Sequence, residues 1–139
     1  MKARRIAGAL GAEVEGVNLK DPLSKDLVAG IREAWLEHLV LFFRGQDLTL
    51  AQFMAFAERL GEPVEYPMVK GLEGYPKIIE VKKLEHERVN FGGIWHTDTA
   101  YLERPPMASM LLAREVPPFG GDTLFANMYS AFEIGRAHV

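Results

Sequence analysis

At 139 residues, the chain is long enough for one modest domain with a core of its own. Hydrophobic residues make up 48% and charged residues 25%. With a net charge of −3 and no basic run beyond Arg4-Arg5 or Lys82-Lys83, nothing points to nucleic acid. There is no cysteine, which excludes disulfides and thiolate metal sites. Glu13 and Glu15 interrupt the apolar residues near the N-terminus, so no secretory signal is read there. No stretch is long enough to cross a bilayer. A cytoplasmic protein with no membrane partner is the expectation.

Residues 4–19 read as two short strands around Gly8 and Gly11. Asp21-Pro22 turns the chain. Ser24 can then cap a helix whose apolar residues Leu27, Val28, Ile31, Trp35 and His38 recur every three to four positions. Leu39 to Phe43 is a continuous apolar run closed by the turn Arg44 to Asp47, which predicts a buried strand. Thr49 and Gln52 have the spacing of a capping box. The helix that follows sets Phe53, Phe56, Ala57 and Leu60 on one face and stops at Gly61.

Residues 63–76, with three prolines and two glycines, form a loop long enough for a binding role. Strands are predicted over 77–81, 94–101, 107–113 and 123–126. The segment 83–93 is a loop, Pro117 to Asp122 a turn, and Asn127 a cap for a helix from Met128. Helices early and strands late make an α+β protein. The last residues, Glu133 to Val139, continue that helix poorly. Ile134 to Val139 equals the translation of ATC-GGA-AGA-GCA-CAC-GTC, part of a common sequencing adapter. That hexapeptide is expected to be an appendage outside the domain of residues 1–133, and His138 is left out of any metal argument.

The chemistry centres on Trp95-His96-Thr97-Asp98. In a strand, residues two apart face the same way, so His96 and Asp98 would project together. Imidazole and carboxylate suit iron(II), manganese or zinc, and an H-x-D pair supplies two of the three ligands of a facial triad. Alone, three residues are a weak signal, against a surface histidine beside a turn aspartate. Trp95 itself reads as core, as do Phe53, Phe56 and Leu60. Arg44 fits a carboxylate partner or an exposed role equally. Gly120-Gly121 reads as a tight turn, since the segment has no lysine and opens no helix.

Asn90 to Tyr101, Pro105-Pro106 and Val116 to Met128 together resemble the TauD/TfdA family of taurine and phenoxyacetate dioxygenases. The family's WH-T/S-D, PP and P-GGDT segments occur in order at compatible spacing. Gly11 to Leu19 and Leu39 to Gln46 resemble its opening strand and its "VVF-R-Q" segment. The resemblance covers residues 6–133. It implies a partial double-stranded β-helix, or jelly roll, with N-terminal helices packed on the sheet. It also implies an oxidoreductase that decarboxylates 2-oxoglutarate to succinate with iron(II) and dioxygen while hydroxylating a small organic substrate, such as a sulfonate or carboxylate.

By the same resemblance, His96 and Asp98 are metal ligands and Thr123 binds a carboxylate of 2-oxoglutarate. Tyr66, Val69, Phe91 and Gly92 line the substrate side. Taurine-type members carry histidine and asparagine at the places of Tyr66 and Gly92, so taurine itself is a poor fit. The distal histidine ligand and the 2-oxoglutarate arginine find no match here. His38 reads as a partly buried helix residue and His86 as solvated. The chain is thus expected to be an inactive N-terminal portion of an enzyme that forms, when complete, a monomer or homo-oligomer. The alternatives are a non-catalytic jelly-roll binding domain retaining a partial metal site, and a zinc hydrolase, for which no local general base is evident.

Overall fold

The computed structural model describes residues 1–89 and 91–136. Asn90 and residues 137–139, which belong to the motif and the tail read above, lie outside the described residues. The chain divides into two compact units. One comprises residues 1–60 and the segment from Leu112 onward, and the other comprises Gly61–Leu111.

In the first unit, β1 (Lys2–Arg5) pairs antiparallel with β2 (Ala12–Glu15), and β2 pairs parallel with β3 (Leu41–Phe42). The sheet order is β1-β2-β3, which puts β2 at the centre. Its inward residues Ala12 and Val14 are buried, while Glu13 and Glu15 take the other face and bind Arg4 at 3.0 and 3.1 Å. The alternation is that of a half-buried strand.

α1 (Lys25–His38) begins as its sequence predicts, with Ser24 Oγ accepting from the Leu27 amide at 3.1 Å. It ends at Leu39, which adopts φ 66, a conformation costly for a leucine. The Trp35 indole N–H donates to the Leu39 carbonyl at 3.1 Å, and the Leu39 amide donates to the Trp35 carbonyl at 2.7 Å. Those two bonds hold the reversal. The chain then enters β3 two residues later than predicted, so the expected five-residue buried strand shrinks to a half-buried pair.

α2 (Leu50–Leu60) opens with the capping box: the Gln52 amide donates to Thr49 Oγ1 at 3.2 Å, and the Thr49 amide donates to Gln52 Oε1 at 3.0 Å. Gln46 stitches the preceding turn. Its Oε1 accepts from the Leu19 amide at 2.9 Å, and its Nε2 donates to the carbonyls of Val17 and Arg44, each at 3.1 Å. The buried apolar residues of this unit are Ala12, Val14, Leu19, Ile31, Ala34, Leu48 and Phe56.

The later segment joins this core through three contacts. Phe125 meets Phe42 edge to face at 6.4 Å, Arg114 pairs with Asp47 at 3.7 Å, and the Asn127 side-chain amide donates to the Ala9 carbonyl at 2.8 Å. Asn127 also caps α3 (Met128–Arg136), its Oδ1 accepting from the amides of Tyr129 and Ser130 at 3.0 and 3.1 Å. α3 continues through Ile134, Gly135 and Arg136, which corrects the expectation that the helix fails at Ile134.

Four predicted strands, 77–81, 94–101, 107–113 and 123–126, are not strands in the structure. Alternation supplies two faces but not a partner, and a strand exists only where a neighbour takes its amides and carbonyls. Exposure shows the same thing: Ile94, Leu111 and Leu124 are 81%, 72% and 70% accessible. In the second unit, the backbone instead closes a small loop. The Leu72 amide donates to Ile78 at 2.8 Å, and those of Tyr75 and Ile78 donate to Leu72 and Tyr75 at 2.9 Å each. Gly71 is obligatory there, because a Cβ would lie 2.0 Å from the Pro76 carbonyl oxygen.

Replacing Asn127 separates its two tasks. Asn127→Ala should lower unfolding stability by about 0.5–2 kcal/mol, the usual loss for an N-cap. Asn127→Asp, which keeps the cap acceptor but not the donor to Ala9, should recover most of that. Thermal unfolding followed by circular dichroism measures both, and equal losses would assign the effect to the Ala9 bond.

Candidate metal site and its family

The second unit carries the His96-Thr97-Asp98 motif. Neither residue lies in a strand. The two side chains nevertheless meet, with His96 Nε2 3.1 Å from Asp98 Oδ1. A turn follows the pair. Thr99 sits at φ 48, a left-handed conformation that strains a β-branched residue, and its carbonyl accepts from the Leu102 amide at 3.1 Å. Thr99 is buried, whereas the pair itself is half exposed.

Each member of the pair is held from behind. His96 Nδ1 lies 2.7 Å from the Ile94 carbonyl, a contact in which Nδ1–H donates and Nε2 becomes the free nitrogen. Asp98 Oδ2 accepts from the Ser109 hydroxyl at 2.5 Å. Gly92, at φ 68, lies against the imidazole edge: a Cβ there would be 3.1 Å from His96 Cε1. Gly92 therefore makes room for the imidazole ring.

The donor chemistry fits a first-row divalent cation. Two ligands at roughly 2.1 Å and right angles stand about 3.0 Å apart, and the observed separation is 3.1 Å. Among the described residues, no group of three histidines or carboxylates is placed to hold a metal ion. His38 is largely buried at the end of α1, and His86 is exposed.

The other expected site residues fall in several places. Val69 and Phe91 come together on one groove of about 270 Å³, along with Ile79, Val81, Lys82 and Lys83. Tyr66 is half buried in an irregular segment of the same unit. Thr123 belongs to the other unit and is exposed in irregular chain, not on the expected strand. Trp95 is 69% exposed, which corrects its reading as core. Arg44 takes both of its expected roles, exposed yet 3.9 Å from Glu13 Oε2.

Ser109 was not expected. Its only signal was coarse: the predicted strands 94–101 and 107–113 flank Glu103 to Pro106, so a chain that doubles back there sets residues of the second segment near those of the first.

Residues 2–138 match the family described as taurine catabolism dioxygenase TauD, TfdA. The chain belongs to that family. It is 38% identical to an alkylsulfatase of Acinetobacter baylyi, over 96% of this chain and 41% of that one. It is also 38% identical to an alpha-ketoglutarate-dependent sulfate ester dioxygenase of Pseudomonas putida, over 92% and 42%. An (S)-phenoxypropionate/alpha-ketoglutarate-dioxygenase of Sphingobium herbicidovorans is 34% identical over 92% and 45%. The chain thus spans less than half the length of these relatives. A crystal structure of a taurine dioxygenase from Burkholderia xenovorans superposes with a TM-score of 0.50 and 37% identity, over 54% of this chain and 27% of that one.

The surroundings of His96 raise its pKa above the ordinary 6.5. The bond to the Ile94 carbonyl is the largest cause, desolvation opposes it, and the charge and hydrogen bond of Asp98 add to the rise. A raised value means that this group stabilises the fold below the unfolded pKa, and that the contribution fades as pH rises through the folded one. Asp98→Asn should bring the His96 titration down toward 6.5 but not all the way, since the Ile94 bond remains. An NMR titration of the imidazole Cε1 proton reads this directly, and an unchanged midpoint would mean that the pair is not formed in solution.

Proposed function

We propose that this chain is the N-terminal portion of a non-haem iron(II), 2-oxoglutarate-dependent dioxygenase, with His96 Nε2 and Asp98 Oδ1 as two of its three metal ligands. The observation that carries this is the 3.1 Å approach of those two atoms, in a chain of this family, with the imidazole's other nitrogen committed to the Ile94 carbonyl. A metal-ligating histidine is oriented in this way by a bond from its second nitrogen.

In the complete protein, bound iron(II) would supply the redox chemistry that couples oxidative decarboxylation of 2-oxoglutarate to hydroxylation of the substrate. This chain's residues do the holding. His96 offers a neutral nitrogen once its proton leaves, Asp98 offers a charge that offsets the cation's, and Gly92 leaves the ring its place. The Thr123 hydroxyl is assigned to a carboxylate of 2-oxoglutarate. The third ligand and an arginine for the far carboxylate belong, in this proposal, to a partial jelly roll completed beyond this segment. The hexapeptide from Ile134 stays outside the catalytic reading.

For substrate, the relatives' names point to sulfate esters and phenoxy acids, organic anions with an apolar body. The groove at Val69 and Phe91 supplies aliphatic and aromatic walls for the apolar body, while its charges, Lys82 and Lys83 against Glu80 and Glu87, balance. Among the described residues, no helix is long and apolar enough to cross a membrane, in keeping with a small-molecule enzyme of the cytoplasm.

The test uses the longer protein that contains this chain. With iron(II) and ascorbate, it should consume 2-oxoglutarate and release succinate. His96→Ala and Asp98→Ala should each abolish release, because loss of a ligand loses the metal. Thr123→Ala should instead keep iron and weaken 2-oxoglutarate about ten- to a hundredfold, the loss of one hydrogen bond to a charged group at roughly 1.5–3 kcal/mol. Absence of release would leave a non-catalytic binding domain as the better reading, release that is indifferent to His96 would overturn the ligand role given to that residue, and loss of iron on Thr123→Ala would overturn the role given to Thr123.

A further inference from the structure

We propose that Ser109 is a positioning residue that makes Asp98 a one-oxygen ligand. The proposal rests on the metal-site reading above and goes beyond it.

A carboxylate has two equivalent oxygens and can clasp a cation with both. It can also swing about its last torsion, which is broad and roughly two-fold. Here the two oxygens are given different partners. Oδ1 faces His96 Nε2 at 3.1 Å, while Oδ2 is taken by the Ser109 hydroxyl at 2.5 Å. An O–H bond to a charged acceptor is short and strong. It fixes the torsion, draws charge onto Oδ2 and leaves Oδ1 as the oxygen presented beside the imidazole. The serine does for the carboxylate what the Ile94 carbonyl does for the histidine, so both ligands are aimed by bonds from outside the ligand set.

The placement is a product of the fold. Pro105 and Pro106 restrict the backbone between the two residues, and the strained turn at Thr99 sends the chain back, so that a residue eleven positions on reaches the carboxylate. Ser109 is exposed, so its replacement removes a hydroxyl without opening a core.

The experiment measures Mn(II) binding by the electron paramagnetic resonance signal of the free ion, on the longer protein that contains this chain. His96→Ala, Ser109→Ala and Ser109→Thr are compared with the parent, and each variant's unfolding midpoint is recorded. Ser109→Ala should weaken Mn(II) about 10- to 100-fold, the usual effect of losing such a supporting bond, with the unfolding midpoint unchanged. Ser109→Thr, which keeps the hydroxyl, should bind within a few-fold of the parent. Parent-like affinity in Ser109→Ala, while His96→Ala loses binding, would overturn the role of Ser109 and leave the metal site standing. So would equal losses in the alanine and threonine variants. Binding that is absent from the parent, or indifferent to His96, would overturn the metal-site reading and this inference with it.

Discussion

The contact between His96 Nε2 and Asp98 Oδ1 is the point on which the chemistry of this chain turns. Like most close meetings of an imidazole and a carboxylate at a surface, it would be loose if left to itself, since each side chain has free torsions and water competes for both. What distinguishes this pair is that neither side chain is left to itself. The imidazole is tied to Ile94, the carboxylate to Ser109, and a glycine at positive φ vacates the space at the ring's edge. Both side chains therefore keep less freedom than a surface pair ordinarily has, which would leave less ordering to be done on binding a cation of the kind proposed above.

The same contacts favour the imidazolium, which donates from both nitrogens, to the Ile94 carbonyl and to Asp98, and they move the His96 pKa upward, the Ile94 bond most of all. If the pair holds a metal ion as proposed above, metal and proton would compete for one lone pair.

The local signals in the sequence were read well where a single residue decides the outcome. Ser24, Thr49 with Gln52, and Asn127 all cap the helices their positions predict, because capping depends on groups two or three residues away. The strands after residue 76 were not, because strand formation is a property of a pair and the sequence shows only one member. Trp95 shows a second limit: its apolar bulk argues for burial, but burial needs something to cover it. The meeting of His96 with Asp98 was legible from their spacing, although neither residue belongs to a paired strand. Nothing in the neighbourhood of Ser109 marked it as a partner of Asp98.

The bond from Asn127 to the Ala9 carbonyl joins groups 118 positions apart. The unit they close is split in sequence by the whole of the other one. A ribosome adding roughly 5–20 residues each second needs several seconds to pass from residue 60 to residue 127. Throughout that interval β1, β2, β3 and both early helices must persist without the contacts of Phe125 and Asn127, while the intervening unit, contiguous in sequence, can already close. The N-terminal sheet thus emerges early and is completed late. Its two-sided pairing of Arg4 with Glu13 and Glu15 lies entirely within the first fifteen residues, where it is available from the start to hold β1 on β2.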